Sequence, residues 1–340
     1  MKRSSGEEAA SDVRGTWRAV SGALGPLVAL GLVFAFFAAA DYATSGESRF
    51  VGARNLRTIA VQTSTVAIAA LGMVVIIISG GIDLSAGTAL ALAATVLAWC
   101  LREGYGPVAA VAACIGAGLA TGFINGALVS LLRVVPFIIT LGTMRAYVGI
   151  AKLVGEETTV RPLPNQIPDW LSMLVATRPE PEWLVLPVGV WLVLGLSAAL
   201  AAVLRWSVFG RWVFAVGSSE ATARLCGVNV PLVKVAVYTL SGFFVGMAGI
   251  YQFARLTSGN PTSGSGLELN IIAAVVIGGA SLNGGRGTVL GTIAGAAMMG
   301  LINNGCTLLG VSSPAQDIIV GVIIVVAAAL DQWRQRRLSN

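Results

Sequence analysis

Apolar runs of about the length that crosses a bilayer follow one another along nearly all of this chain, and that succession leaves little choice of fold. A membrane-spanning helix needs about 20 mainly apolar residues. Such runs occupy residues 20–40, 58–79, 84–101, 107–132, 135–154, 184–204, 235–255, 269–282, 288–309 and 316–332. Of the 340 residues, 56% are hydrophobic and only 11% are charged, against roughly 25% charged in a soluble domain. A membrane β-barrel is excluded, because its strands are alternating segments of about ten residues and these runs are continuously apolar. The expectation is an all-α polytopic membrane protein with about ten transmembrane helices. It comprises one membrane domain over 20–332, a polar tail over 1–19 and a basic tail over 333–340. The run at 269–282 is too short for a plain crossing and is expected to be tilted, broken or buried among its neighbours.

Lys2, Arg3 and Arg18 precede the first run, and Ala38-Ala39-Ala40 has the look of a cleavage site. The run is longer than the roughly 7–15 residues of a signal-peptide core, so it is read as a retained helix. Lys and Arg favour the cytoplasmic side. With both termini inside, Lys2, Arg3, Arg14, Arg18, Arg133, Arg205, Arg211, Arg224, Lys234, Arg286, Arg334, Arg336 and Arg337 fall inside. Arg49, Arg54, Arg57, Arg102, Lys152, Arg161, Arg178 and Arg255 fall outside, and Arg145 lies within a helix. That placement accounts for the net charge of +6 without invoking a nucleic-acid partner. It makes 205–234 a cytoplasmic loop and 155–183 an outer one, stiffened by five prolines and carrying Glu156, Glu157, Asp169, Glu180 and Glu182, which are expected to touch a partner.

Several chemistries are absent from the sequence. There is no histidine, so His-based triads and the commonest metal ligand are excluded. The four cysteines form no C-x-x-C pair and read as small buried hydrophobes. No Gly-Lys dipeptide occurs, so the usual phosphate-cradling loop is missing. No cofactor is expected. Glycines recur every fourth residue at Gly118, Gly122 and Gly126, at Gly242 and Gly246, and at Gly291 and Gly295. That spacing puts them on one helix face and lets a neighbouring helix approach closely.

Polar residues inside apolar runs carry more functional weight, because a charge at bilayer centre costs roughly 2.5–3.5 kcal/mol on insertion scales. Asp83 follows Gly80-Gly81 at a break. It reads either as an N-cap for the run starting at Leu84, helped by Ser85, or as a residue of a translocation pathway. Asn125, Thr140, Asn303 and Asn304 are the other pathway candidates, with interhelical hydrogen bonding as the alternative role. Within the inner loop, residues 218–227 carry helix signals. Ser218 or Ser219 can cap the start, Glu220 suits the positive end and pairs with Arg224 four residues on. Ala221 and Leu225 share a face, Gly227 can take the left-handed stop, and Pro231 prevents continuation.

These segments resemble the permease subunits of bacterial ABC importers for ribose, arabinose, galactose, xylose and related monosaccharides. The resemblance is carried by Ser79 through Gly87, Asn125-Gly126-Ala127-Leu128-Val129, Pro136 through Met144, Gly210-Arg211 and Glu220 through Val228. It is carried further by Ala254-Arg255-Leu256, Gly264 through Leu269 and Gly278 through Gly287. Cys226 and Thr222 depart from the usual serine and alanine. The resemblance implies a core of the vitamin-B12-importer type (a type II ABC importer). It also implies a second permease chain, a separate ATPase subunit with two nucleotide-binding domains and a periplasmic sugar-binding protein. The location would be the bacterial inner membrane. It makes Ser219, Glu220, Ala221, Arg224, Leu225 and Gly227 an ATPase-coupling helix. Related permeases for nucleosides, branched-chain amino acids or autoinducer-2 remain alternatives for the cargo. An ion-coupled transporter is less suited, because Asp83, Glu268 and Asp317 are the sole candidate carboxylates.

Overall fold

The computed structural model describes residues 4–46, 48–178 and 184–339, with side-chain surroundings between residues 25 and 329 of that range. The elements in order are α1 (Ser4–Ser45), α2 (Ala53–Ile78), α3 (Ala86–Arg102), α4 (Pro107–Leu132), α5 (Pro136–Val154) and α6 (Asp169–Met173). They continue with α7 (Val188–Trp206), α8 (Val208–Ser218), α9 (Glu220–Leu225), α10 (Val230–Leu256), α11 (Leu267–Ile277), α12 (Val289–Leu308) and α13 (Ser313–Ser339). Among the described residues there is no strand, only an isolated antiparallel bridge between Val160 and Gly259. Seven helices among the described residues are long and apolar enough to cross a bilayer: Gly25–Ser45 of α1, α2, α4, α5, α7, α10 and α12. The other three apolar runs form the shorter helices α3, α11 and Ser313–Ala329 of α13. The chain is thus an all-helical polytopic membrane protein. Helical backbone begins at Ser4, so α1 takes in most of the segment read as a polar tail. The acidic residues Glu180 and Glu182 of the loop expected outside lie beyond the described residues.

The bundle is organised around α2. Every residue from Ala67 to Ile78 is buried, as expected of a helix that is apolar on all sides. It packs against α10, α12, α11 and α7. Helix α4 lies along α10, and the predicted glycine face is what brings them together. A Cβ on Gly118 would collide with the Gly242 carbonyl, and one on Gly126 would come within 2.8 Å of the Val235 Cα. Helices α11 and α12 close in the same way, Gly291 against the Gly278 carbonyl and Gly295 against the Ala274 carbonyl. Prolines start helices where their missing N–H costs nothing: Pro107 begins α4 and Pro136 begins α5.

The segment 205–234, expected to be a cytoplasmic loop, is more ordered than a loop. Helix α8 occupies eleven of its residues and buries Gly210, Val213 and Val216. At that end of the bundle three segments meet. The Gly285 N–H donates to the Ile78 carbonyl at 2.8 Å, and Gly217, near the end of α8, abuts the same carbonyl.

Candidate functional site

The break between α2 and α3 gathers three of the predicted polar residues. Gly80 turns the chain with φ +83, and α3 begins at Ala86. Between them Asp83 accepts from the Ser85 N–H at 2.7 Å and from the Ser85 hydroxyl at 2.6 Å. Asp83 therefore sits in a turn ahead of the helix, and Ser85 itself takes the N-cap position. Asn125 of α4 donates from Nδ2 to the Ser85 Oγ at 2.7 Å and to the Asp83 Oδ2 at 3.3 Å. Its Oδ1 accepts from the Tyr147 hydroxyl of α5 at 3.0 Å. Thr140 accepts from the Leu84 N–H at 3.1 Å, and the Tyr238 hydroxyl of α10 reaches the Ile82 carbonyl at 3.5 Å. Asp83, Ser85, Asn125 and Thr140 are all buried. Tyr147 and Tyr238 complete the set. They escape a reading of sequence because an aromatic in an apolar run looks like core.

The cluster pins α4, α5 and α10 to the non-helical turn between α2 and α3, and its members satisfy one another. Asp83→Ala would strand the Ser85 N–H and the Ser85 hydroxyl proton in a buried place, while the Asn125 amide keeps its bond to the Ser85 Oγ. Each stranded group costs about 1–3 kcal/mol. The expected result is a loss of roughly 3 kcal/mol of stability, seen as a lowered thermal midpoint in detergent, with Asp83→Asn intermediate. An unchanged midpoint with lost transport would make Asp83 a pathway residue instead. Asn304 lies elsewhere, accepting at Oδ1 from Asn55 Nδ2 at 3.0 Å. The Asn303 carbonyl takes the Thr307 hydroxyl at 2.8 Å. The five candidates therefore form two separate groups.

Helix α9 forms as its residues dictate. Ser219 caps it, accepting from the Thr222 N–H at 3.2 Å. Glu220 accepts from Arg224 at 2.6 Å and from Lys234 of α10 at 2.8 Å. The helix closes with Val228 N–H to the Ala223 carbonyl and Gly227 N–H to the Arg224 carbonyl, both 3.0 Å, with Gly227 at φ +81. This is the glycine stop in its six-to-one form. Lys234 first, and Arg224 with it, hold the Glu220 carboxyl below the ordinary carboxylate range. A depressed value means that the pair supports the fold above the unfolded carboxylate value. That support is lost as pH falls through the lowered one. Ala223 is buried, whereas Ala221 is exposed and Leu225 is 89% exposed. A six-residue helix has thus been fixed to the bundle by one face and an ion pair, with a leucine left pointing away.

At the opposite end, Arg102 pairs with Glu156 at 2.7 Å. Glu156 is therefore engaged with α3. Arg54, Arg57, Thr177 and Arg178 line a hollow of 460 Å³. Between the two ends, Arg145 lies midway along α5 on an exposed face.

The chain matches the family described as branched-chain amino acid transport system / permease component over residues 55–328. The ribose import permease protein of Escherichia coli is 40% identical over 286 residues, covering 84% of this chain and 88% of that one. The ribose import permease protein of Bacillus subtilis is 34% identical over 288 residues, covering 83% and 86%. The fructose import permease protein of Rhizobium meliloti is 32% identical over 286 residues, covering 84% and 79%. No solved structure matches the chain with significance.

Proposed function

This chain belongs to the family of branched-chain amino acid transport system permease components, and from that premise we propose that it is the membrane permease of an ATP-driven importer for a monosaccharide. The observation that carries the cargo is the 40% identity to a ribose import permease, sustained over 84% of this chain. A separate ATPase subunit hydrolyses ATP, a reading supported by the lack of a phosphate-cradling loop in this chain. The permease pairs with a second permease chain, and a periplasmic binding protein delivers the sugar at the outer end. The arginine-lined hollow there suits an acidic docking surface. The ten apolar helices cross the inner membrane with both termini in the cytoplasm, in a core of the vitamin-B12-importer type. Helix α9 docks on the ATPase through Ala221 and Leu225. Arg145 faces the water-filled path, because a guanidinium turned to lipid at mid-bilayer costs roughly 2.5–3.5 kcal/mol on insertion scales. Asp83, Asn125 and Thr140 hold the helix break that shapes the path.

The test of function is ribose uptake in a strain lacking its own ribose importer, on co-expression of this chain with its ATPase and binding protein. Uptake of a branched-chain amino acid instead of ribose would overturn the sugar reading. Topology has its own test. Reporter fusions at Glu156 and Glu220 are expected to report opposite compartments. The same compartment for both would rule out the ten-span arrangement.

A further inference from the structure

We propose that the exposed face of residues 257–269 lines the aqueous translocation path and meets the cargo there through Ser265 and Glu268. The proposal deepens the importer reading and rests on it for the identity of the cargo.

Helix α10 ends at Leu256, and Thr257 after it takes the left-handed conformation. The ten residues 257–266 are not helical, and α11 starts at Leu267. The contacts of this stretch show where it runs. Gly259 lies against Thr95 and Ala98 of α3, its added Cβ meeting the Thr95 Cα at 2.6 Å. Gly264 lies against Gly87 and Ala91 of the same helix. Thr95 and Gly87 are eight positions apart, so the chain descends roughly 12 Å along α3 at 1.5 Å per residue. It then turns at Gly266, φ +87, and α11 completes the crossing with eleven residues.

A stretch of irregular backbone therefore lies well inside the membrane. Lipid cannot satisfy such backbone, which is tolerated at that depth only where protein covers it or water reaches it. One face is covered, since Gly259, Pro261 and Gly264 are buried. The other is not, and Thr262, Ser265, Gly266 and Leu269 are exposed. The segment is too well tied down to withdraw from this position. Gly259 exchanges both backbone hydrogen bonds with Val160 at 2.8 Å. Asn260 Oδ1 accepts from the Thr262 N–H and hydroxyl, both at 2.9 Å. Lipid cannot serve the open face, which this chain leaves to the water of the path between it and the second permease chain.

Its chemistry fits a neutral polyhydroxylated cargo. The Ser265 hydroxyl both donates and accepts. The half-buried Glu268 carboxylate accepts from the Gly266 N–H at 3.1 Å and has further lone pairs for cargo hydroxyls. A sugar passing this face would exchange water contacts for these groups one at a time.

The test is thiol labelling of the full permease–ATPase complex in nanodiscs, with a charged methanethiosulfonate as probe. Cys226 is exposed and the other three cysteines are buried, so Cys226→Ser supplies the background. Ser265→Cys and, one helical turn on, Leu269→Cys are placed on the open face. Leu32→Cys is placed on the exposed side of α1 as a lipid-facing control. A thiol in apolar surroundings is held protonated and reacts slowly. Both path variants are expected to react more than about tenfold faster than Leu32→Cys, and modification of Ser265→Cys is expected to block ribose uptake. Both reacting as slowly as Leu32→Cys, in a complex that still imports ribose, would overturn the aqueous lining and leave the importer reading intact. Fast labelling with undiminished ribose uptake would overturn the contact with cargo. Fast labelling in a complex that imports no ribose would overturn the sugar reading and support the lining.

Discussion

Gly122→Val is expected to prevent assembly of the bundle, while Gly116→Val six residues earlier on the same helix leaves it intact. A Cβ on Gly122 would strike the Tyr238 carbonyl and come within 2.8 Å of the Gly242 Cα and 2.9 Å of the Gly242 N. Those atoms are helical backbone and cannot rotate away as a side chain would. Helices α4 and α10 would have to separate, and α10 also supplies the Tyr238 ring that closes the turn at Ile82. Overpacking a well-filled interior costs about 1–3 kcal/mol, and more where backbone must move. Gly116 has nothing within 4 Å of an added Cβ, so valine there pays only the modest helix-propensity difference common to both sites. Size-exclusion profiles and thermal midpoints in detergent read the outcome. Gly122→Val is expected to give aggregate or no monodisperse peak, and Gly116→Val a profile like the parent. Equal behaviour of the two variants would mean that α4 and α10 are not in this contact.

The glycine faces of that contact were legible in the sequence, because close packing leaves a local record of small residues every fourth position, but which helix would meet which was not. The helices themselves were legible for the same reason, since crossing length is a property of a continuous run. The start of α10 at Val230, ahead of the predicted 235, follows from Asn229, which accepts from the Leu232 N–H at 3.2 Å. Helix α8 was hidden within 205–234. Its eleven residues are too few for a crossing, and three buried positions are too few to betray it. The polar cluster was legible only as separate suspects. Asp83 and Asn125 are joined across 42 residues of chain, and no local pattern says which amide will meet which carboxylate. The descent of residues 257–266 along α3 is harder still. Its glycines announce a break in the helix, but the glycine that receives it, Gly87, belongs to another helix.

Leu225→Asp is expected to leave the permease folded and inserted, to release it from its ATPase, and to abolish uptake. The helix that carries Leu225 cannot stand by itself. Isolated helices shorter than about 12–15 residues are marginal in water, and α9 has six. It is held from below by the buried Ala223 and from the side by the Glu220–Lys234 pair at 2.8 Å. Neither contact involves Leu225, which makes no demand on the fold and is 89% exposed. A carboxylate there would cost the permease little, but it would have to be desolvated against an apolar groove on any partner. Removing an unpaired charge from water costs several kcal/mol, and a penalty of about 3 kcal/mol weakens association more than a hundredfold. Ser219→Ala acts through the helix instead, removing the cap to the Thr222 N–H at about 0.5–2 kcal/mol. It should reduce uptake without eliminating it, and lowering the pH through the depressed Glu220 value should act in the same direction. Co-purification of the tagged permease with the ATPase, ATP hydrolysis by the reconstituted complex and ribose uptake separate the alternatives. A Leu225→Asp permease that retains its ATPase and transports at the parent rate would show that the coupling contact lies elsewhere on the inner face.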